Sequence, residues 1–269
     1  MLIAQLSDCH IAVPEDEATK LYNSTEKLRN AARHVNSSQN RPDLVFLTGD
    51  LVNSAKPEEY EILRDVVSEF EMPVYLLPGN HDDCTLIREF FPNHDYIPKV
   101  GGLNYAVEGW PLKFICLDTN LHGKPQGHLG EEQLQWLEKE LTTETERPVV
   151  IMLHHPPFKT GLACMDGMGL TDMAEFVEVI SRHDHIERVL CGHIHRAIQK
   201  LVGGTLVQTC PSTSHQVLLV LGENKPLGTT FEPPEYLLHY WNEANGLVTH
   251  SDYVKDYGVA WTQEGGVTE

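Results

Sequence analysis

Short apolar runs recur along this chain, each bounded by Gly, Pro, Asp or Asn, and several are followed by stretches of helical periodicity. Leu44-Val45-Phe46-Leu47 is the clearest run, opened by Pro42-Asp43 and closed by Thr48-Gly49-Asp50. Its branched, uninterrupted character predicts a strand buried on both faces. Leu2 to Leu6, Val74 to Leu77, Val149 to Leu153 and Ile186 to Cys191 repeat the pattern. Between these runs, Asn23 to Ser38 sets Leu28, Ala31, Ala32 and Val35 on one helical face. Pro57 to Phe70 opens with proline and two glutamates, which suit a helix N-terminus. Asp82 or Asp83 can cap a short helix from Thr85 to Phe91. Strand alternating with helix predicts βαβ units and a mostly parallel core sheet.

The rhythm changes beyond Tyr96. Leu103 to Val107 and Lys113 to Leu117 are short strands broken by Gly109-Trp110-Pro111, which implies a second sheet or an antiparallel extension. Helices are expected at Gly130 to Leu141 and Asp172 to Arg182, and short strands at Thr205 to Thr209 and Gln216 to Val220. Pro14 to Tyr22 reads as a charged loop, and Phe158 to Leu170, rich in Gly and Met, as a mobile one. Gly222 to Pro234 is loop-like. Tyr236 to Trp241 and Leu247 to Tyr253 form a hairpin turned through Asn245-Gly246. The expected division is a catalytic domain at 1–221 and a C-terminal segment at 222–269.

With 269 residues, 41% of them hydrophobic, the chain can bury a substantial core. Twenty Lys and Arg against 39 Asp and Glu leave a net charge of −19, which disfavours nucleic acid polymers and anionic membranes as partners. A small anionic substrate would then need local positive charge, and bound metal ions would supply it. Six cysteines lie scattered without a C-x-x-C pair, as in reduced thiols of a cytoplasmic protein. No signal-peptide pattern or run long enough to span a membrane is apparent, which supports the same expectation.

Candidate chemistry collects at strand ends. Asp8-x-His10, Asp50, Asn80-His81, His154-His155 and His193-x-His195 each follow an apolar run. A parallel sheet brings such ends to one edge, where ligands bind. If each segment is extended there, Asp8 and His10 point the same way, as do His193 and His195. Oxygen and imidazole donors with no thiolate, Cys9 excepted, favour Zn, Mn, Fe or Co over a structural zinc site. So many donors suit two ions bridged by one carboxylate, for which Asp50 is the candidate. Singly, each motif could be a turn or a cap; their joint occurrence carries the signal.

The ordered blocks D-x-H, G-D, G-N-H-D, H-H and G-H-x-H resemble those of calcineurin-like metallophosphoesterases over essentially the whole chain. Leu21-Tyr22, Gly49 to Asn53, Pro78 to Asp83, His154 to Pro157 and His215 to Val217 resemble the bacterial branch of class III cyclic-nucleotide phosphodiesterases and glycerophosphodiesterases. Cys9 departs from the usual Thr and, lying between two ligand positions, suggests redox or heavy-metal sensitivity. The resemblance implies an α/β fold: a four-layer α-β-β-α sandwich of two mixed sheets flanked by helices, with a small C-terminal β cap. It assigns Asp8, His10, Asp50 and His195 to a first metal, and Asp50, Asn80, His154 and His193 to a second. His81 would contact the phosphate and protonate the leaving group, with Asp82 orienting it or capping a helix. Asn53 and His215 would contact substrate, and His155 would support the ligands.

The implied activity is hydrolysis of a small phosphodiester, a 3′,5′-cyclic nucleotide or a glycerophosphodiester, by a metal-bound hydroxide. Phosphomonoesters or phosphonate monoesters are the alternative substrates, and a scaffold without metals is the non-enzymatic alternative. No arginine falls within the ligand blocks, and alternation turns Arg196 away, which favours a diester over a monoester dianion. The C-terminal segment resembles one used for dimer contacts and for partly covering the site, so a homodimer or higher homo-oligomer is expected. Tyr236, Trp241, Tyr253, Tyr257 and Trp261 could equally cover a sheet edge. The remaining histidines, His239 among them, read as ordinary core or surface residues.

Overall fold

The computed structural model describes residues 1–144, 146–223 and 225–258. The first half runs β1 (Leu2–Leu6), α1 (Glu17–Tyr22), α2 (Ser24–Ser37), β2 (Leu44–Thr48), α3 (Pro57–Val67), β3 (Val74–Leu77), α4 (Cys84–Phe90), β4 (Tyr105–Val107) and β5 (Lys113–Leu117). There follow α5 (Gly130–Thr143), β6 (Val149–Leu153), α6 (Ala163–Asp166), α7 (Met173–Ile180), β7 (Ile186–Cys191), β8 (Gln199–Val202) and β9 (Thr205–Thr209). The C-terminal part adds β10 (Gln216–Val217), β11 (Thr229–Thr230), β12 (Glu235–Asn242) and β13 (Gly246–Tyr253).

Two mixed sheets result. One has the order β13-β12-β1-β2-β3 and the other β4-β5-β6-β7-β9-β8, with β10 and β11 pairing as a separate ribbon. β1, β2 and β3 are mutually parallel, as are β5, β6, β7 and β9; the antiparallel strands lie at the margins. Parallel strands covered on both faces read as continuous apolar runs, which is why the central strands were so legible.

Three apolar clusters define four layers. Ile3, Leu44 and Phe46 of the first sheet pack against Phe114, Val150, Met152 and Leu190 of the second, forming the layer between the sheets. Ala4, Leu6, Val45 and Leu47, one residue out of phase, meet Leu28, Ala31 and Val35 of α2 and Tyr60 and Leu63 of α3. On the far side Ile115, Ile151 and Val189 meet Leu137 and Leu141 of α5 and Phe176 and Ile180 of α7. The α-β-β-α sandwich is therefore built by strand alternation alone.

Three local expectations change. Residues 17–22 are helical, with Asp16 accepting from the Ala18 N–H; no residue of α1 is buried, so no apolar periodicity announced it. Segment 158–170 is folded against the body, with Leu162 and Met165 packed on Ile194 and Val217, and Asp166 accepting from Thr160 and Gly161. β8 was missed because its residues are largely exposed and the strand lies at an edge.

The hairpin falls where the alternation placed it. Its first strand pairs antiparallel with β1 from Leu2–Tyr240 to Gln5–Leu237 and extends the first sheet. Tyr236 and Leu238 join the cluster under α2 and α3, and the Tyr236 hydroxyl donates to Asp252 at 2.7 Å. Tyr253 and Tyr257 are exposed; Trp261 lies outside the described residues. Because the hairpin supplies both an edge strand and core side chains, removing residues 222–269 should destabilise the remainder. The loss should exceed the about 3–5 kcal/mol of one buried aromatic. Urea denaturation reads this, and an unchanged midpoint would mark the segment as an independent appendage.

Candidate metal centre

The expected donors meet at the C-terminal ends of the parallel strands. Asp8 and His10 follow β1, Asp50 follows β2, and Asn80 and His81 follow β3; His154 follows β6, and His193 and His195 follow β7. One ligand atom from each of Asp8, His10, Asp50 and His195 lies within 4.8 Å of the others, all four residues being buried. Asp50 spans the cluster. Its Oδ1 is 3.4 Å from His154 Nε2, and its Oδ2 is 3.7 Å from His10 Nε2. Asp8 Oδ1 stands 3.3 Å from His195 Nε2 and 4.0 Å from His154 Nε2.

Backbone carbonyls fix the imidazoles. His154 Nδ1 donates to Thr48 O at 2.8 Å, His195 Nδ1 to His215 O at 2.7 Å, and His81 Nδ1 to Asn53 O at 2.7 Å. A carbonyl can only accept, so each of these rings in its neutral form presents an unprotonated Nε2. His154 Nε2, His193 Nε2, Asn80 Oδ1 and His10 Nδ1 are buried without a hydrogen-bond partner. Unsatisfied buried polar atoms on several neighbouring residues are costly unless something binds them. The donor set fits metal ions by chemistry and by orientation. His155 has a ligand atom within 4.8 Å of those of His154 and His193, but both its nitrogens have other partners: Thr119 Oγ1 contacts Nδ1 at 2.8 Å, and Nε2 lies 3.2 Å from Pro125 O.

The donor loops are not extended. Asp8, His10, Asp50, His193 and His195 have φ values of 53°, 46°, 48°, 69° and 53°, in the left-handed region. The D-x-H and H-x-H pairs converge through this strained backbone, which costs L-residues about 1–2 kcal/mol each. Close approach requires glycine as well. A Cβ on Gly79 would collide with the Asp50 backbone and carboxylate, and one on Gly49 with the His154 ring.

Charge follows the same geometry. Burial opposes ionisation of Asp8 and Asp50, yet His195 beside the first and His154 beside the second hold both carboxyls below the usual range. Burial works against a charged His154, but Asp50 and Asp8 outweigh it and push the ring up to about 9. His10 and His193, where burial dominates, fall well below the ordinary imidazole value. Cys9 faces the apolar core under α2 and α3, and burial pushes its thiol up to about 12. The redox or heavy-metal sensitivity expected of it finds no exposed thiolate.

Other expected residues take different places. Asp82 neither orients His81 nor caps α4. It accepts from the N–H groups of Gly79 (2.7 Å), Leu51 (3.1 Å) and Val52 (3.2 Å), tying the β2 and β3 loops together. Asp83 is the helix cap, accepting from Thr85 and Leu86. Asn53 meets His81 through its carbonyl, while its amide turns to Ser54 Oγ. His215 lies at the rim, its ring centroid 5.3 Å from that of His10 and stacked on Tyr22 at 3.9 Å. Asn120, missed in the sequence, donates to the carbonyls of Gly79 and Asp82. Leu117-Asp118-Thr119-Asn120 is also a polar strand end, and that is the signal Asn120 carries in the sequence.

An α-β-β-α sandwich with a buried nitrogen and oxygen donor cluster at its strand ends is the architecture of a metallohydrolase. The calcineurin-like phosphoesterase profile matches residues 1–197, and the chain belongs to that family. It is 34% identical over 255 residues to a probable glycerophosphodiester phosphodiesterase of Arcobacter nitrofigilis, covering 94% of this chain and 93% of that protein. It is 30% identical over 214 residues to the 3′,5′-cyclic adenosine monophosphate phosphodiesterase of Escherichia coli K12, covering 80% and 76%. The solved structure of a dimetal phosphatase from Danio rerio has the same fold, with a TM-score of 0.63 at 14% identity over 95% of this chain and 99% of that one.

Replacing Asp82 by Asn sets an amide NH2 against at least one of three inward N–H groups. Asp82→Asn is therefore expected to lower the unfolding free energy of the metal-free protein by about 1–3 kcal/mol. Urea titration measures this, and no change would show that the carboxylate does not hold the two loops.

Proposed function

We propose that this protein is a dinuclear metal-dependent phosphodiesterase acting on a small diester, a 3′,5′-cyclic nucleotide or a glycerophosphodiester. The observation that carries the reading is the division of Asp50, with one oxygen toward His154 and the other toward His10. Asp8, His10, Asp50 and His195 would hold one ion, and Asp50, Asn80, His154 and His193 the other. Nitrogen and oxygen donors favour Fe, Mn, Zn or Co. When bound, the two ions supply an activated water and positive charge for the phosphate.

The remaining steps fall to side chains of the chain itself. The His81 backbone N–H donates to Asp50 Oδ1 at 2.9 Å, and Asn53 O accepts from its ring Nδ1 at 2.7 Å, so the ring is anchored next to Asp50 with Nε2 left free of those bonds. With a second proton carried on Nε2, His81 would contact the phosphate and give that proton to the leaving alkoxide. Asp82 would act one step back, holding the backbone that carries Asp50. His215 and Asn53 would meet the substrate at the rim.

A diester is favoured over a monoester because, among the described residues, Arg196, the arginine next to a donor in sequence, is engaged elsewhere. Arg196 donates to Val217 O and pairs with Glu232 at 3.1 Å. The names of the two relatives, one acting on glycerophosphodiesters and one on cyclic adenosine monophosphate, support the same choice. Six free cysteines support a cytoplasmic setting. Exposed Tyr240, Val248 and Tyr253 on the hairpin support self-association through the C-terminal segment.

Metal-stripped protein reconstituted with Mn is expected to hydrolyse bis(p-nitrophenyl) phosphate in preference to p-nitrophenyl phosphate. A preference for the monoester would overturn the diester reading, and no dependence on metal would overturn the class. His81→Ala should lose about 10²–10⁴-fold in kcat with alkoxide leaving groups and much less with nitrophenolate. Equal losses on both would remove the proton-donor role.

A further inference from the structure

The two sheets supply separate halves of the donor set. Asp8, His10, Asp50 and Asn80 follow strands of the first sheet; His154, His193 and His195 follow strands of the second. Apolar contacts between Phe46, Phe114 and Met152 hold the sheets together. Such contacts are non-directional and resist separation far better than sliding. Directional bonds between the sheets must therefore set the distance between the two halves.

A polar chain, fully buried as far as His239, links the strands that lead into the donors. Gln5 on β1, His239 on β12 and Thr48 on β2 have no exposed surface. Gln5 Nε2 donates to Thr48 Oγ1 at 3.1 Å, within its own sheet, and to Cys191 O of β7 at 3.0 Å, across to the other. Gln5 Oε1 meets His239 Nε2 at 3.1 Å, and His239 Nδ1 meets Thr249 Oγ1 at 2.9 Å.

With the His239 ring neutral, one arrangement of protons satisfies every bond. Cys191 O can only accept, so the Gln5 amide nitrogen faces it and Oε1 faces His239. His239 then donates from Nε2, and its Nδ1 accepts from the Thr249 hydroxyl. Burial, with the Arg188 charge adding to it, holds His239 down at about 3, so the ring is neutral.

Both residues that the Gln5 amide N–H groups reach adjoin the donors. Thr48 O accepts from His154 Nδ1, and Thr48 leads directly into Gly49-Asp50. Cys191 leads into Gly192-His193, where the Gly192 N–H donates to His154 O at 3.0 Å. The bonds of this chain reach Thr48, Cys191 and Thr249 and none of the donor side chains.

We propose that Gln5 and His239 are positioning residues that lock β2 of one sheet to β7 of the other, and so set the spacing of the two halves of the metal centre. The C-terminal hairpin thereby becomes part of that centre's support. This rests on reading the donors as a metal site, as proposed above.

The test is Mn binding by isothermal titration calorimetry on the full chain, with kcat and KM measured alongside. Wild type is expected to bind two ions. Gln5→Leu and His239→Leu should bind Mn about 10-fold more weakly, as for other supports of metal ligands, and lose kcat with KM for bis(p-nitrophenyl) phosphate retained. His239→Gln, whose amide can donate to Gln5 Oε1, should recover most of the affinity. Folded Leu variants that bind Mn as wild type does, or a Gln variant no better than Leu, would overturn the proposal. Should the Leu variants fail to fold, Thr249→Val removes only the outermost hydroxyl. It should still weaken Mn binding about 2–3-fold, and unchanged affinity would overturn the proposal there too. Wild type that binds no Mn would overturn the metal reading together with this one, whereas normal wild-type binding with unaffected variants overturns this one alone.

Discussion

Everything about this molecule answers to one electrostatic constraint: acceptor atoms from both sheets are forced together where water is scarce. Asp8 has no exposed surface, and Asp50 is only 3% exposed. With protons as the only cations, these carboxylates draw charge onto His154 and His195, raising both imidazoles against the opposing effect of burial. His10 and His193 stay neutral, and His193 Nε2 and Asn80 Oδ1 remain unpaired. Protons can satisfy part of this set and not the rest. Divalent cations would neutralise the carboxylates and fill the inward lone pairs together, which is what the donor chemistry of the cluster fits.

That readiness is costly, and the fold supplies the compensation. Five left-handed non-glycine residues and a group of unsatisfied polar atoms oppose folding by an amount on the order of several kcal/mol. Three apolar clusters, one between the sheets and one on each outer face, offset it. The backbone ties lie in the loops themselves. Asp82 gathers three N–H groups from two strand ends, Asn120 fastens the Gly79 and Asp82 carbonyls to the strand end after β5, and the Asp8 carboxylate accepts from His193 N–H at 3.1 Å. Strain of this kind persists only where several independent contacts determine the same conformation.

What could be read from the sequence follows from which part of each residue acts. The donors act through side chains, so Asp8, His10, Asp50, Asn80, His154, His193 and His195 carry a visible signature. Strands buried on both faces were legible for the same reason. Thr48, Asn53 and His215 orient imidazoles through carbonyls that every residue possesses, and no pattern in the sequence distinguishes them. The left-handed backbone at Asp8 and His10 is equally silent, because their residue types suit an extended pair as well. Asp82 was visible as a carboxylate, but its partners are backbone amides of Leu51 and Val52, so its role could be assigned only in three dimensions. α1 lacks a buried face and β8 lies exposed at an edge, and neither gives the periodicity that marks an element.

The boundary of the family match bears on how the centre is built. The match ends at residue 197, just past His195, so every expected donor lies within it. Their support does not end there. The carbonyl that fixes the His195 tautomer belongs to His215, and the hydroxyl that donates to the Asp8 carbonyl, at 2.7 Å, belongs to Ser212. Val217 packs on Ile194, between the two β7 donors, while Tyr22 stacks on His215 and bonds Thr229 at 2.8 Å. The ribbon of β10 and β11 thus touches the donor loop on one side and the rim on the other. A segment that both orients a donor and lines the mouth cannot change to suit a new substrate without disturbing the centre.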